Sequence, residues 1–159
     1  MLNPQLRIGL IGTGFMGKAH VFGFASAPRV FELPYDLDLR TVADITPEAA
    51  ASAARTLGFT NATANWRDII NDPEIDVVDI TAPNALHKEM ALAAIAAGKH
   101  VYCEKPLAPL SGDALEMTEA AEAKGIKTQV GFNYLCNPML IFAREMIAGG
   151  LRASLCCID

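Results

Sequence analysis

Residues 8–20 read Ile-Gly-Leu-Ile-Gly-Thr-Gly-Phe-Met-Gly-Lys-Ala-His, so Gly12-x-Gly14-x-x-Gly17 closes a short apolar run and opens a stretch of helical composition. A strand that turns into a helix over three glycines brings bare main-chain amides to the positive end of the helix. A diphosphate can rest against them there because no Cβ stands in the way. The pattern is short enough to arise from helix packing alone, and its place between strand and helix is what gives it meaning. Gly12, Thr13, Gly14, Phe15, Met16 and Gly17 are therefore the expected dinucleotide-binding turn.

The 159 residues suit one domain, and 52% hydrophobic content against 19% charged excludes a disordered chain and fits a core covered on two faces. A net charge of −5 without a Lys/Arg run argues against nucleic acid or an anionic membrane as partner. No apolar stretch is long enough to span a bilayer, and the N-terminus lacks a signal-peptide pattern, so a cytoplasmic protein acting on small molecules is expected. Cys103, Cys136, Cys156 and Cys157 form no Cys-x-x-Cys pair, which disfavours zinc and a disulfide framework and leaves reduced thiols.

Short β-type runs alternate with longer helical stretches, the signature of parallel strands joined by crossover helices. Strands are predicted at Leu6–Ile11, Leu37–Ala43, Thr60–Thr63, Asp76–Thr81, His100–Cys103 and Lys127–Gly131. Helices are predicted at Phe15–Ser26, Pro47–Leu57, Trp66–Asn71, Asn84–Ala97, Gly112–Ala123 and Pro138–Ala148. Thr46-Pro47-Glu48 places an N-cap, an N1 proline and an acidic first turn in series, and Gly58, Gly98 and Gly125 sit where C-caps belong. Right-handed crossovers then give an α/β fold: a Rossmann-type doubly wound parallel sheet of order 3-2-1-4-5-6, with the glycine turn at its switch point.

Asp44, at the end of the second strand, can accept from both ribose hydroxyls of a dinucleotide; the competing reading is a cap for the Pro47 helix. The distance from Gly17 to Asp44 exceeds the usual ~20 residues, and a loop at Pro28–Asp36 accounts for the surplus. Ile45 and Thr46 follow with no basic residue to neutralise a 2′-phosphate, so NAD is favoured over NADP. Thr81-Ala82-Pro83-Asn84, with His87 beyond, leaves the fourth strand at the ligand edge, or is simply a strand-to-helix turn. Glu104-Lys105-Pro106 ends the fifth strand, and Pro106 restricts the conformation of Lys105. A lysine fixed there could stabilise alkoxide character on a substrate oxygen; the plainer reading is a surface ion pair. Trp66 could edge an adenine or anchor packing, and His20 and His100 read as structural.

Taken in order, Gly12–Gly17, Asp44, Thr81–Asn84 with His87, Ala97–Val101, Glu104-Lys105-Pro106-Leu107 and Gly131-Phe132-Asn133-Tyr134 with Asn137-Pro138 resemble the glucose-fructose oxidoreductase/inositol dehydrogenase (Gfo/Idh/MocA) family over about residues 6–150. The resemblance implies NAD(P)-dependent oxidation or reduction of sugars, cyclitols or related polyols, in a family form that is a homo-oligomer. It places Gly12–Gly17 on the pyrophosphate and Asp44 on the adenosine ribose. Thr81, Pro83, Asn84, His87 and Asn133 lie toward the nicotinamide half, Glu104 on the cofactor, and Lys105 beside the hydride-transfer centre as the catalytic residue. No Tyr-x-x-x-Lys pair occurs, because Tyr35, Tyr102 and Tyr134 are followed four positions on by Leu39, Pro106 and Pro138, which disfavours a short-chain dehydrogenase.

Residues 1–150 thus read as the dinucleotide-binding domain. Where the family continues after Gly149-Gly150 into a substrate domain, this sequence reads as a non-family tail, Leu151–Asp159, and that domain is expected to be absent. A shifted reading frame near codon 150 is one expected cause, and weak NAD binding with poor turnover is the expected consequence. The alternative function is a non-catalytic NAD(H)-binding or interaction module, for which exposed apolar residues around Phe132–Leu135 and Met139–Phe142 favour self-association.

Overall fold

The computed structural model describes residues 3–150. Residues 151–159, read above as a non-family tail, lie outside the described residues. Six parallel strands, β1 (Gln5–Ile11), β2 (Asp36–Ala43), β3 (Asn61–Thr63), β4 (Val77–Ile80), β5 (His100–Cys103) and β6 (Thr128–Val130), form one sheet in the order β3-β2-β1-β4-β5-β6. This is the order expected from right-handed crossovers. The sequence direction reverses between β1 and β4, which opens a crevice at their carboxyl ends.

The crossovers are α1 (Phe15–Val30), α2 (Pro47–Leu57), α3 (Trp66–Asn71), α4 (His87–Ala96) and α5 (Ser111–Lys124), and α6 (Pro138–Ala148) follows β6. Strand alternation sorts the core into two layers. Leu10 and Val42 pack with Val21 of α1 and Phe59 on one face, while Val78, Ile80, Val101 and Cys103 meet Met90, Ala94, Met117 and Ala121 on the other. Each such fully buried aliphatic side chain contributes about 1.5–3 kcal/mol by leaving water. The far side of β5 and all of α6 are less well covered: α6 buries no residue, and Met139 and Phe142 stand exposed.

Two boundaries differ from expectation by more than one residue. α1 does not stop at Ser26 but runs to Val30 through Pro28, so the added length before β2 is divided between a last helical turn and a five-residue loop, residues 31–35. Pro28 is tolerated because it lies in the last turn, where its missing N–H costs only the Phe24 carbonyl a partner. The segment predicted as one helix from Asn84 begins as a single 3₁₀ turn, Asn84–Leu86, and becomes α-helical only at His87. A second 3₁₀ turn, Asn133–Cys136, joins β6 to α6 and was not foreseen.

Candidate functional site

The glycine turn is built by close approach. Gly12 has φ +97, which L side chains rarely adopt, and a Cβ there would meet the Thr81 carbonyl oxygen at 2.9 Å. A Cβ on Gly17 would collide with the Gly12 carbonyl oxygen, so α1 can pack against the turn only with glycine at this position. The Thr81 hydroxyl donates to that same Gly12 oxygen at 2.7 Å, and the Gly12 amide donates to Ala43 at 2.9 Å, tying the turn to β4 and β2. Gly14 is different. It is the N-cap of α1 and offers no side-chain cap; a Cβ there would meet nothing within 4 Å. The amide end of α1, with no acidic residue in its first turn, therefore opens onto free space.

That space is a groove of about 560 Å³ along the carboxyl ends of β1, β2 and β4. The turn residues Gly12 to Met16 line one wall, Thr81 and Pro83 the floor, and Asp44, Ile45 and Trp66 the far side. Asp44 closes β2 with both oxygens committed: Oδ1 accepts from the Ile45 amide at 2.6 Å, and Oδ2 accepts from the Thr13 hydroxyl. The competing reading of Asp44 as a helix cap does not hold, because Thr46 caps α2 and accepts from the Ala49 amide at 3.1 Å. Ile45 is 90% exposed at the rim, and Trp66 is half-buried, packed on the core with the Arg67 guanidinium 4.2 Å from its ring centroid. The apolar lining from Ile45, Ala64, Leu86 and Met90 was not singled out in the sequence. Helical and strand periodicity assigned these residues to elements without showing that they converge. A second cavity of about 530 Å³ lies near the amino ends of the strands, against Leu6, Tyr35, Val77 and Tyr102, and takes in none of the expected site residues.

The remaining candidates cluster one and two strands away. Lys105 follows β5, exposed, and among the described residues its ammonium makes no hydrogen bond or ion pair. The surface pair with Glu104 is therefore not formed. The Lys105–Pro106 peptide is cis. Glu104 points inward and is buried; Oε2 accepts from the Lys105 amide at 3.0 Å, and Oε1 meets His20 Nε2 at 3.2 Å. A Cβ on Gly131 would stand 2.5 Å from that Oε1, so the exit of β6 is glycine where the carboxylate passes. His87 is fully buried, with Nε2 2.8 Å from the Ala82 carbonyl oxygen and Nδ1 3.0 Å from that of Pro106. It thus bridges the exits of β4 and β5. Asn84 and Asn133 are exposed at the start of the two 3₁₀ turns, outside the groove lining.

His20, read as structural, is the centre of a buried cluster that sequence reasoning missed. Its Nδ1 lies 3.0 Å from both carboxylate oxygens of Asp79, and its ring stacks on Tyr102 at 4.7 Å and 10°. Burial pulls the His20 imidazolium down, but the Asp79 and Glu104 carboxylates outweigh it and hold its pKa above the ordinary value. Burial pushes the Asp79 carboxyl up, against the pull of His20. A signal was present in the sequence: a carboxylate within Val-Val-Asp-Ile must be buried, and a buried carboxylate requires a partner.

Among the described residues no group of His, Cys, Asp and Glu could hold a metal ion, and no helix is long and apolar enough to cross a membrane. Compared with known proteins, the oxidoreductase family described by an NAD-binding Rossmann fold matches residues 6–132. Levoglucosan dehydrogenase of Pseudarthrobacter phenanthrenivorans is 49% identical over 147 residues, covering 92% of this chain and 38% of that protein. An inositol 2-dehydrogenase/D-chiro-inositol 3-dehydrogenase of Lactiplantibacillus plantarum is 33% identical over 91% of this chain and 40% of its own length. A solved levoglucosan dehydrogenase in complex with NADH and levoglucosan superposes with a TM-score of 0.89 at 47% identity, over 92% of this chain and 40% of that one. The chain thus spans well under half the length of these relatives, and the shared part is the six-stranded sheet with its crevice. With the family match running from β1 through the Glu104-Lys105-Pro106 exit to β6, this chain belongs to the Gfo/Idh/MocA oxidoreductase family and carries its NAD-binding Rossmann fold.

Proposed function

We propose that the chain holds NAD(H) in the groove and serves as the cofactor half of an NAD-dependent oxidoreductase acting on a sugar, cyclitol or related polyol. One observation carries this reading: an open amide end of α1, a carboxylate and an apolar wall share a single groove at the sheet's switch point. A diphosphate fits against Gly14, where a side chain would otherwise project into the groove. Asp44 suits ribose hydroxyls, and Ile45, Ala64 and Trp66 suit a flat base. The nicotinamide, when bound, supplies the hydride acceptor or donor.

What the chain's own residues contribute follows from their positions. Thr81 and Pro83 shape the groove floor toward β4, and Asn84 and Asn133 stand beyond it at the exits of β4 and β6. Lys105 Nζ, unpartnered among the described residues, is free to donate to a substrate oxygen and hold it as negative charge builds. Glu104 and His87 have buried, already partnered side chains and serve by fixing the backbone on either side of Lys105. The names of the two dehydrogenase relatives, for levoglucosan and inositol, support the polyol class.

Trp66 is the sole tryptophan and lines the groove, so its emission reports occupancy directly. Titration with NADH is expected to quench it saturably, with NADPH binding more weakly, and a polyol panel is expected to yield NADH slowly, at a rate that Lys105→Ala lowers about 100-fold or more. Absence of saturable NADH binding overturns the reading. Tight NADH binding with no turnover, unchanged in Lys105→Ala, replaces it with a non-catalytic NAD(H)-binding module.

A further inference from the structure

Both ring nitrogens of His20 face carboxylates, Asp79 through Nδ1 and Glu104 through Nε2. A neutral imidazole has one N–H and one lone pair, and would direct that lone pair at one of the two anions; only the imidazolium donates to both. The cluster is nearly dry. His20 is 9% exposed, Glu104 5% and Asp79 0%, with the Tyr102 ring stacked on one face of the imidazole and the Phe24 ring edge-on at 6.5 Å. It also joins three parts of the fold. His20 belongs to α1, which begins at the glycine turn; Asp79 belongs to β4; and Glu104 is the residue whose other oxygen takes the Lys105 amide.

We propose that His20 is a positioning residue: a charged bolt between Asp79 and Glu104 that fixes the exit of β5, and with it Lys105, relative to the helix that receives the dinucleotide. The inference rests on the NAD(H) reading above. Its physical core is the anchoring of Glu104. With the imidazolium in place, the carboxylate is held by His20, by the Lys105 amide and by the floor at Gly131. When the ring loses its proton, two buried carboxylates face a group that can donate to only one of them. Glu104 must then take up a proton or turn away, and the backbone of Lys105 loses its acceptor. His87, on the Pro106 carbonyl, holds the far side of Lys105 independently. The other titratable group facing the ring is Tyr102, whose phenol is pushed above its ordinary value by burial, by the two carboxylates and by nearby Cys136, and so stays neutral.

The test compares NADH with ADP-ribose, which lacks the nicotinamide end, by calorimetric titration of the unsubstituted chain and of His20→Asn. A second variant, His20→Asn with Asp79→Asn, removes one of the two buried carboxylates that the first leaves without an imidazolium, and so guards against unfolding. The expected result is NADH binding weakened about tenfold with ADP-ribose changed by less than about twofold. NADH affinity of the unsubstituted chain is expected to decline as pH rises through the elevated His20 value, a decline missing from both variants. Equal weakening of both ligands makes His20 a scaffold residue of α1 and overturns the proposal, as does no change in either. Failure of the unsubstituted chain to bind either nucleotide overturns the NAD(H) reading itself, and the positioning role falls with it.

Discussion

In the proposed NAD(H) site, the cofactor preference rests on one side chain, Asp44. It sits at the carboxyl end of β2 with one oxygen on the Ile45 amide and the other on the Thr13 hydroxyl, so its carboxylate is aimed before any ligand arrives. The next residue is isoleucine, 90% exposed, where a cation would be needed to balance a phosphate on the ribose. Losing hydrogen bonds to a charged acceptor costs about 1.5–3 kcal/mol. Asp44→Ser is therefore expected to weaken NADH binding by roughly tenfold or more while improving NADPH binding, because the repulsion disappears together with the acceptor. The measured quantity is the ratio of the two dissociation constants; a ratio unchanged by the substitution would remove Asp44 from the recognition of the ribose.

At the scale of elements, α2 shows how local chemistry sets boundaries without tertiary help. Thr46 accepts from the Ala49 amide, Pro47 opens the first turn, and Gly58 ends the helix at φ +84 with its N–H on the Ala54 carbonyl. Thr46→Ala is expected to lower stability by about 1 kcal/mol, read as a drop in the urea midpoint at constant slope; an unchanged midpoint would mean that solvent caps the helix equally well. Features of this kind are legible in a sequence because cap, proline and glycine act over three or four residues. The glycine turn and strand order were legible for related reasons: short-range sterics and the handedness of crossovers. Pro28 was misleading because a proline usually ends a helix, yet in a last turn it displaces only one acceptor. What stayed hidden was pairing over long separations. Lys99 lies between the predicted helix and strand with nothing nearby in sequence to mark a partner, yet its ammonium is buried and donates to the Ile75 carbonyl at 2.7 Å. His20, Asp79 and Glu104 lie on three different elements, and no period within any one of them announces the other two. The contact of His87 with the Pro106 carbonyl hid for the same reason, since it crosses from the start of α4 to the exit of β5.

For the whole molecule, the buried charge cluster makes stability a function of pH with a definite sign. The folded chain holds the His20 proton more tightly than the unfolded chain, whose ring has the ordinary value of 6.5. The stabilisation is therefore complete below about that pH and is lost as pH rises through the higher folded value, because over this interval the folded state carries the extra proton. Asp79 acts in the same direction: its carboxyl, raised above 3.8 by burial, also binds a proton more tightly when folded. Three other groups come into play only at higher pH. Cys103, pushed up to about 12 from 9.0 by burial, Asp79 and Glu104, adds its own loss above pH 9, Tyr102, raised by burial and the same carboxylates, does so above 10, and half-buried Lys88, raised by Asp113 and Glu116, titrates beyond 10.5. Urea unfolding between pH 6 and 9 thus follows the cluster: unfolding free energy is expected to fall as pH rises above about 6.5, by about 1.4 kcal/mol for each tenfold by which folding tightens a proton, and to level off once the folded value is passed. In the His20→Asn, Asp79→Asn double variant the slope should flatten, since neither proton is left to release. A slope that persists in the double variant, or stability that climbs with pH over this range, would show that the ring is neutral in the native fold and that Asp79 and Glu104 are accommodated without it.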